Sequence, residues 1–217
     1  MNLDKYTPDK RRIIKLYNER LAKHGYTVRG LASGTRGRQF LRFKMVCEVG
    51  DLNGKSVLDM GCGFGALLDF FKQEGIQVKE YVGWDINPKI VEIARQRFPE
   101  YTFECVDILN SRNPRKFDFV LSSSAFNNIL ENCDNYEFVR EVLKRCYSIS
   151  NEGVAINFQS DYVDFRRGRV FYYTPERIFS ICKAITKRVA LRHDFPLYDF
   201  AVYLYKNFKP WGKNETN

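Results

Sequence analysis

Three aspartates and three glycines have the types and spacing from which this chain could build a ligand site. In Val57-Leu58-Asp59-Met60-Gly61-Cys62-Gly63-Phe64-Gly65 an apolar run leads into alternating glycines, with an acid two residues before the first. Glycine permits positive φ and lets a ligand approach the backbone with no Cβ in the way. A helix starting near Gly65 would turn its free amides back over the same space. Such a turn makes a nucleotide-like cofactor site. Asp59 biases it towards a cofactor with a positive amino group, since it would sit where a dinucleotide wants its pyrophosphate. Two more strand-like runs end in acids: Tyr81-Val82-Gly83-Trp84-Asp85, followed by an Asn87-Pro88 helix start, and Phe103-Glu104-Cys105-Val106-Asp107. In an open parallel sheet, neighbouring strands line one crevice with their carboxyl ends. Asp59, Asp85 and Asp107 should therefore converge there.

Each acid suits a different part of S-adenosylmethionine. Asp59 suits the methionyl amine, Asp85 the ribose hydroxyls and Asp107 the adenine amino group. A dinucleotide enzyme fits the loose G-x-G-x-x-A pattern of Gly61 to Ala66 and would share Asp85, but it has no use for Asp59 and little for Asp107. At these residues the chain resembles the class I, Rossmann-like S-adenosylmethionine-dependent methyltransferases. Ser56 to Gly65 looks like their first motif, Gly83-Trp84-Asp85-Ile86-Asn87-Pro88 the second, and Cys105-Val106-Asp107-Ile108 the third. Phe117 to Phe126 looks like the fourth, and the likeness runs in order from about residue 40 to 206. The resemblance implies that Asp59, Gly61, Gly63 and Gly65 hold the methionyl end, with Ile86 and Ile108 flanking the base and Ser123 beside the sulfonium. Arg42, in preference to Arg38, is the candidate partner of the methionyl carboxylate.

The elements that must position these residues alternate as a doubly wound α/β sheet requires. Strands are expected near 56–60, 79–84, 101–105, 117–122 and 153–159, with helices near 65–75, 88–98 and 135–149. Thr174-Pro175-Glu176 starts another helix. The segments Arg188–His193 and Phe200–Tyr205 are joined by a link long enough for antiparallel pairing but too short for a parallel crossover. The expectation is a seven-stranded, mostly parallel sheet with a C-terminal antiparallel pair and helices on both faces. Residues 1–217 read as one domain: 56–206 form the core and 1–55 an N-terminal helical extension that could cap the acceptor. There Ile13, Leu16, Tyr17 and Leu21 recur at helical spacing up to Gly25. A glycine-rich basic loop over 30–39 follows, then a helix from about Gln39 to Val49.

Composition is globular, 44% hydrophobic and 28% charged. No apolar run approaches a membrane span, and Met1 to Tyr6 lacks the apolar centre of a signal peptide. The six cysteines show no metal-ligand spacing and read as reduced packing residues of a cytosolic, cytoplasmic protein with no metal site. The net charge of +9 admits an anionic partner, but the basic residues are spread along the chain. RNA is accordingly weighed below a small-molecule acceptor.

The segment after the fourth strand, Ser122-Ser123-Ser124-Ala125-Phe126-Asn127-Asn128, lacks the Asn- or Asp-Pro-Pro-aromatic signature of adenine and glutamine N-methylation. It is similar to the Ala-Ser-Gly-Ile-Phe-Asn of a group of small bacterial methyltransferases of unknown acceptor. That group also carries Tyr-Tyr-x-x-Pro and His-Asp-Tyr-x-Leu-Tyr-Glu-Phe; here stand Tyr172-Tyr173-Thr174-Pro175 and His193 to Phe200. His193 is the candidate general base by residue type. Tyr172 and Tyr173 are candidate acceptor-pocket residues, with Arg166 or Arg167 gripping an anionic group. The expected activity is methylation of an oxygen or nitrogen of a small acceptor, such as a glycan precursor or specialised metabolite. An RNA methyltransferase, a nicotinamide-dependent oxidoreductase and a non-catalytic cofactor-binding protein are the alternatives.

Overall fold

Residues 3–111 and 115–206 are described in this computed structural model of the chain. After a short 3-10 turn (Leu3–Tyr6), helix α1 spans Thr7–His24 and α2 spans Arg36–Cys47. The core follows as β1 (Ser56–Met60), α3 (Ala66–Glu74), β2 (Glu80–Asp85), α4 (Pro88–Arg97), β3 (Thr102–Cys105) and β4 (Phe117–Ser122). It continues through α5 (Asn135–Ile149), β5 (Ser150–Gln159), α6 (Pro175–Lys183), β6 (Val189–Arg192) and β7 (Asp199–Tyr205).

The strands form one seven-stranded sheet in the order β3-β2-β1-β4-β5-β7-β6. All neighbours from β3 to β5 run parallel, whereas β7 pairs antiparallel with both β5 and β6. Strand order reverses between β1 and β4, and at such a switch point crossovers to opposite faces leave a crevice above the strand ends. The expected fold is the one observed.

Both faces of the sheet are apolar because helices cover both. Val57, Phe119, Leu121 and Ala155 point to the side packed by α2, α3 and α4, while Leu58, Val120, Val154 and Ile156 meet α5 and α6. Local chemistry sets the helix starts. Asn87 accepts from the Lys89 amide at 3.0 Å to open α4, and Asp134 accepts from the Glu137 amide at 2.7 Å to open α5.

Two boundaries differ from expectation by three residues. Helix α2 starts at Arg36 rather than Gln39, because the Thr35 hydroxyl accepts from the Arg38 amide at 3.3 Å and caps the helix within the glycine-rich segment. Strand β5 starts at Ser150 rather than 153: Ser150 already pairs with Phe117, and the register then shifts before Phe119 meets Gly153.

Candidate active site

A cleft of about 1330 Å3, counted out to its open mouth, lies above the carboxyl ends of the strands. Asp59, Gly61, Gly63, Asp85, Ile86, Asp107, Ile108, Ser123 and Arg42 all line it. Asp59 lies in β1 opposite Gly83 of β2, and Asp85 closes β2 opposite Cys105 of β3. Asp107 lies two residues beyond β3, so the acids stand on three successive strands. With strands about 4.8 Å apart, they span roughly 10 Å across the sheet edge.

The turn after β1 is clamped to the end of β2: the Gly61 and Cys62 amides both donate to the Trp84 carbonyl, at 2.7 and 3.0 Å. Gly61 has φ +76°, and a Cβ there would come within 2.5 Å of Ala125 Cβ, so Ala125, three residues beyond β4, seats directly on this glycine. Gly65 does not line the cleft. It is packed under Phe98 and Phe103, where a Cβ would meet both rings at 2.9 Å, so its role is to let α3 start close to the sheet.

The acids differ in environment. Asp85 accepts from the Gly63 amide at 3.2 Å and the Asn87 amide at 2.9 Å; burial raises its pKa, and these backbone bonds oppose the rise. Asp107 accepts from the Leu109 amide at 3.1 Å, the Asn110 side-chain amide at 2.9 Å and the Lys10 ammonium. Asp59 is buried, with one hydrogen bond from the Tyr81 hydroxyl at 2.8 Å and no ion pair among the described residues. Burial pushes its pKa up to about 7. A desolvated carboxylate without a cation, facing a cleft, fits a ligand that brings an ammonium.

Helix α1 roofs the cleft with Lys10, Ile13, Ile14 and Tyr17. It is tied down by Asp9, which is fully buried and accepts from the Glu131 and Asn132 amides at 2.8 and 3.0 Å. The Asn87 side chain also donates to Asn18 at 3.0 Å. On the opposite side, Arg42 lies in the cleft wall with its guanidinium already engaged: Nε and Nη2 donate to Asp199 at 3.0 and 3.3 Å, and Nη1 to the Ser33 carbonyl at 3.1 Å. Asp199 also accepts from Asn157 at 3.2 Å, and Asn157 accepts from the Ser124 amide at 2.8 Å.

The expected acceptor residues lie elsewhere. His193 is exposed, its ring between those of Tyr162 and Phe200 with centroids 5.8 Å from each, and it does not line the cleft. The structure does not bring this candidate base to the cleft. Tyr173 is fully buried among Phe158, Phe171 and Tyr136, and its hydroxyl donates to the Phe126 carbonyl at 2.7 Å; it supports the cleft floor rather than facing it. Tyr172 donates no wall either: Arg166 stacks on its ring, Arg167 stacks on Phe165, and both arginines are exposed outside the cleft. Sequence reasoning missed Lys10, Tyr17, Gln39 and Asp199. Only the apolar stripe containing Tyr17 gave any sign of a covering face.

The sheet order, the switch-point cleft and the three acids define a Rossmann-like nucleotide-cofactor enzyme. A profile of a methyltransferase domain matches residues 57–148. The chain is 33% identical over 156 residues to "Putative methyltransferase Rv1506c" of Mycobacterium tuberculosis, covering 70% of this chain and 93% of that one. The chain therefore belongs to the class I S-adenosylmethionine-dependent methyltransferases, and its cofactor is S-adenosylmethionine. The fold is similar to magnesium protoporphyrin IX methyltransferase of Synechocystis with bound cofactor (TM-score 0.65, 18% identity, 95% of this chain and 99% of that one). It is also similar to CalS10, an amino pentose methyltransferase from Micromonospora echinaspora (TM-score 0.57, 15% identity, 74% of this chain and 87% of that one). No helix among the described residues is long and apolar enough to cross a membrane, and no group of residues there has the make-up of a metal site.

Proposed function

We propose that the enzyme methylates an oxygen or nitrogen of a small-molecule acceptor, working as a single domain with residues 1–55 as its cap. The observation that carries this reading is the roof. Helix α1 lies over the cleft and is held by buried Asp9, a covered arrangement that suits a compact molecule better than a polymer. The names of the similar enzymes, which act on a porphyrin and an amino pentose, agree with a small acceptor.

In this reading Asp107 accepts from the adenine amino group, Asp85 takes the ribose hydroxyls between Ile86 and Ile108, and Asp59 takes the methionyl ammonium. The cofactor supplies an electrophilic methyl on a sulfonium. The chain's part is to exclude water and align the acceptor, and such orientation supplies on the order of 7–11 kcal/mol for well-placed pairs. The cleft contains no imidazole among its described lining residues. An acceptor atom that arrives already deprotonated needs no base from the protein.

One observation outside the cleft favours the rival acceptor, RNA. Arg166 and Arg167 stack on aromatic rings beside exposed Tyr162 and Phe165. Incubation with radiolabelled cofactor and fractionated cell extract separates the two. Label in the small-molecule fraction is the expected result; label in RNA, with binding that falls steeply as salt rises, overturns it.

A further inference from the structure

Gln39 lines the cleft and carries a buried polar atom with no partner. Its side chain is 95% buried, from a relative exposure of 5%, and its Oε1 has no hydrogen-bond partner. A buried amide oxygen left unpaired is costly, so such an atom in a cleft wall marks where a ligand completes the bonding. Gln39 lies one helical turn before Arg42 and Phe43, on the face of α2 that lines the cleft.

The direction of the site places Gln39 at one particular end. Asp107, Asp85 and Asp59 stand on β3, β2 and β1 in spatial order, and β4 and β5 come next. A cofactor with its base at Asp107 and its ribose at Asp85 must send its amino-acid end past Asp59 towards β4. Helix α2 packs over β4, β5 and β7, so Gln39 overhangs that end. Arg42 overhangs it too, but its three nitrogens already donate to Asp199 and Ser33. A second carboxylate there would place two anions on one guanidinium.

We propose that Gln39, rather than Arg42, receives the α-amino acid end of the cofactor. The amide oxygen accepts from the ammonium that Asp59 neutralises, and the amide nitrogen donates to the carboxylate. An amide suits a zwitterion because it offers a donor group and an acceptor group and adds no net charge. This assignment rests on the orientation of S-adenosylmethionine given above.

Two probes test it by calorimetry: S-adenosylhomocysteine, and 5′-methylthioadenosine, which has the same nucleoside and thioether but no amino-acid end. Gln39→Leu and Gln39→Glu should weaken S-adenosylhomocysteine by on the order of tenfold or more and methylthioadenosine by less than about twofold. Unchanged methylthioadenosine binding also shows that the variants are folded. If both variants keep the wild-type ratio of the two affinities, Gln39 does not touch the amino-acid end and the proposal is wrong. If wild type binds both probes equally, the orientation itself fails, and the two failures are distinguishable.

Discussion

Lys10, in the first turn of α1, donates its ammonium to Asp107 beyond β3, joining the roof of the cleft to the acid proposed to hold the adenine. Lys10 also lies over the rings of Tyr6 and Phe138, at 5.8 and 5.9 Å from their centroids. The pair is mostly shielded from water, with side-chain exposures of 11% and 23%, so it is less screened than a surface ion pair. Asp107→Ala should lose both the roof contact and the acceptor for the adenine amino group, weakening S-adenosylhomocysteine by about tenfold. Asp107→Asn keeps an acceptor oxygen and should bind between Asp107→Ala and wild type, as calorimetry would show.

Asp59 ties stability to pH. Its folded pKa of about 7 lies above the ordinary value near 3.9, so the folded state holds the proton more tightly than the unfolded chain. Stability contributed by this group is present below about pH 4, falls as pH rises towards 7, and stays lost above it. Asp59→Asn should therefore melt higher than wild type at pH 8, with the advantage shrinking towards pH 4, while binding S-adenosylhomocysteine less well. An arriving ammonium favours the carboxylate, so binding near pH 6 should release protons, measurable by titration in buffers of different ionisation enthalpy.

Arg42 and Asp199 should behave as a buried pair. The Asp199 side chain is 2% exposed and that of Arg42 15%. Arg42→Met leaves an uncompensated carboxylate and should cost about 3–5 kcal/mol of unfolding free energy. Adding Asp199→Asn removes the stranded charge and should recover a good part of that loss. Denaturant titration of the double-mutant cycle would check it.

His193 and Tyr173 should invert the ranking their residue types imply. A general base contributes roughly 10²–10⁴ in rate, whereas His193→Ala should change methyl transfer by less than about twofold. Tyr173→Phe deletes a buried bond to the Phe126 carbonyl and should cost about 1–2 kcal/mol of stability, with activity following the loss of order in the segment after β4.

The cofactor edge was legible because its signals are local. Glycines that need positive φ, acids at strand ends and a proline in a first helical turn each declare themselves within a few residues, and parallel topology then brings the strand ends together. The roof and the far wall of the cleft were not legible. Their parts meet only through folding: Arg42 and Asp199 are 157 residues apart, and Lys10 and Asp107 are 97 apart. Tyr173 shows the same limit in another way. A tyrosine whose ring is enclosed by aromatics and one that faces a ligand look alike until Phe158 and Tyr136 are placed around it. His193 looked catalytic by type, but β6 is the edge strand farthest from β3, and its end delivers the ring to solvent.

A helix lying over an opening by side-chain packing alone could swing free of everything beneath it. The carboxylate of Asp9 prevents that, because it grips two main-chain amides of the stretch joining β4 to α5. Lifting α1 must either break both bonds at once or drag that stretch along. While those bonds hold, α1 and the chain beyond Ser122 can move only together.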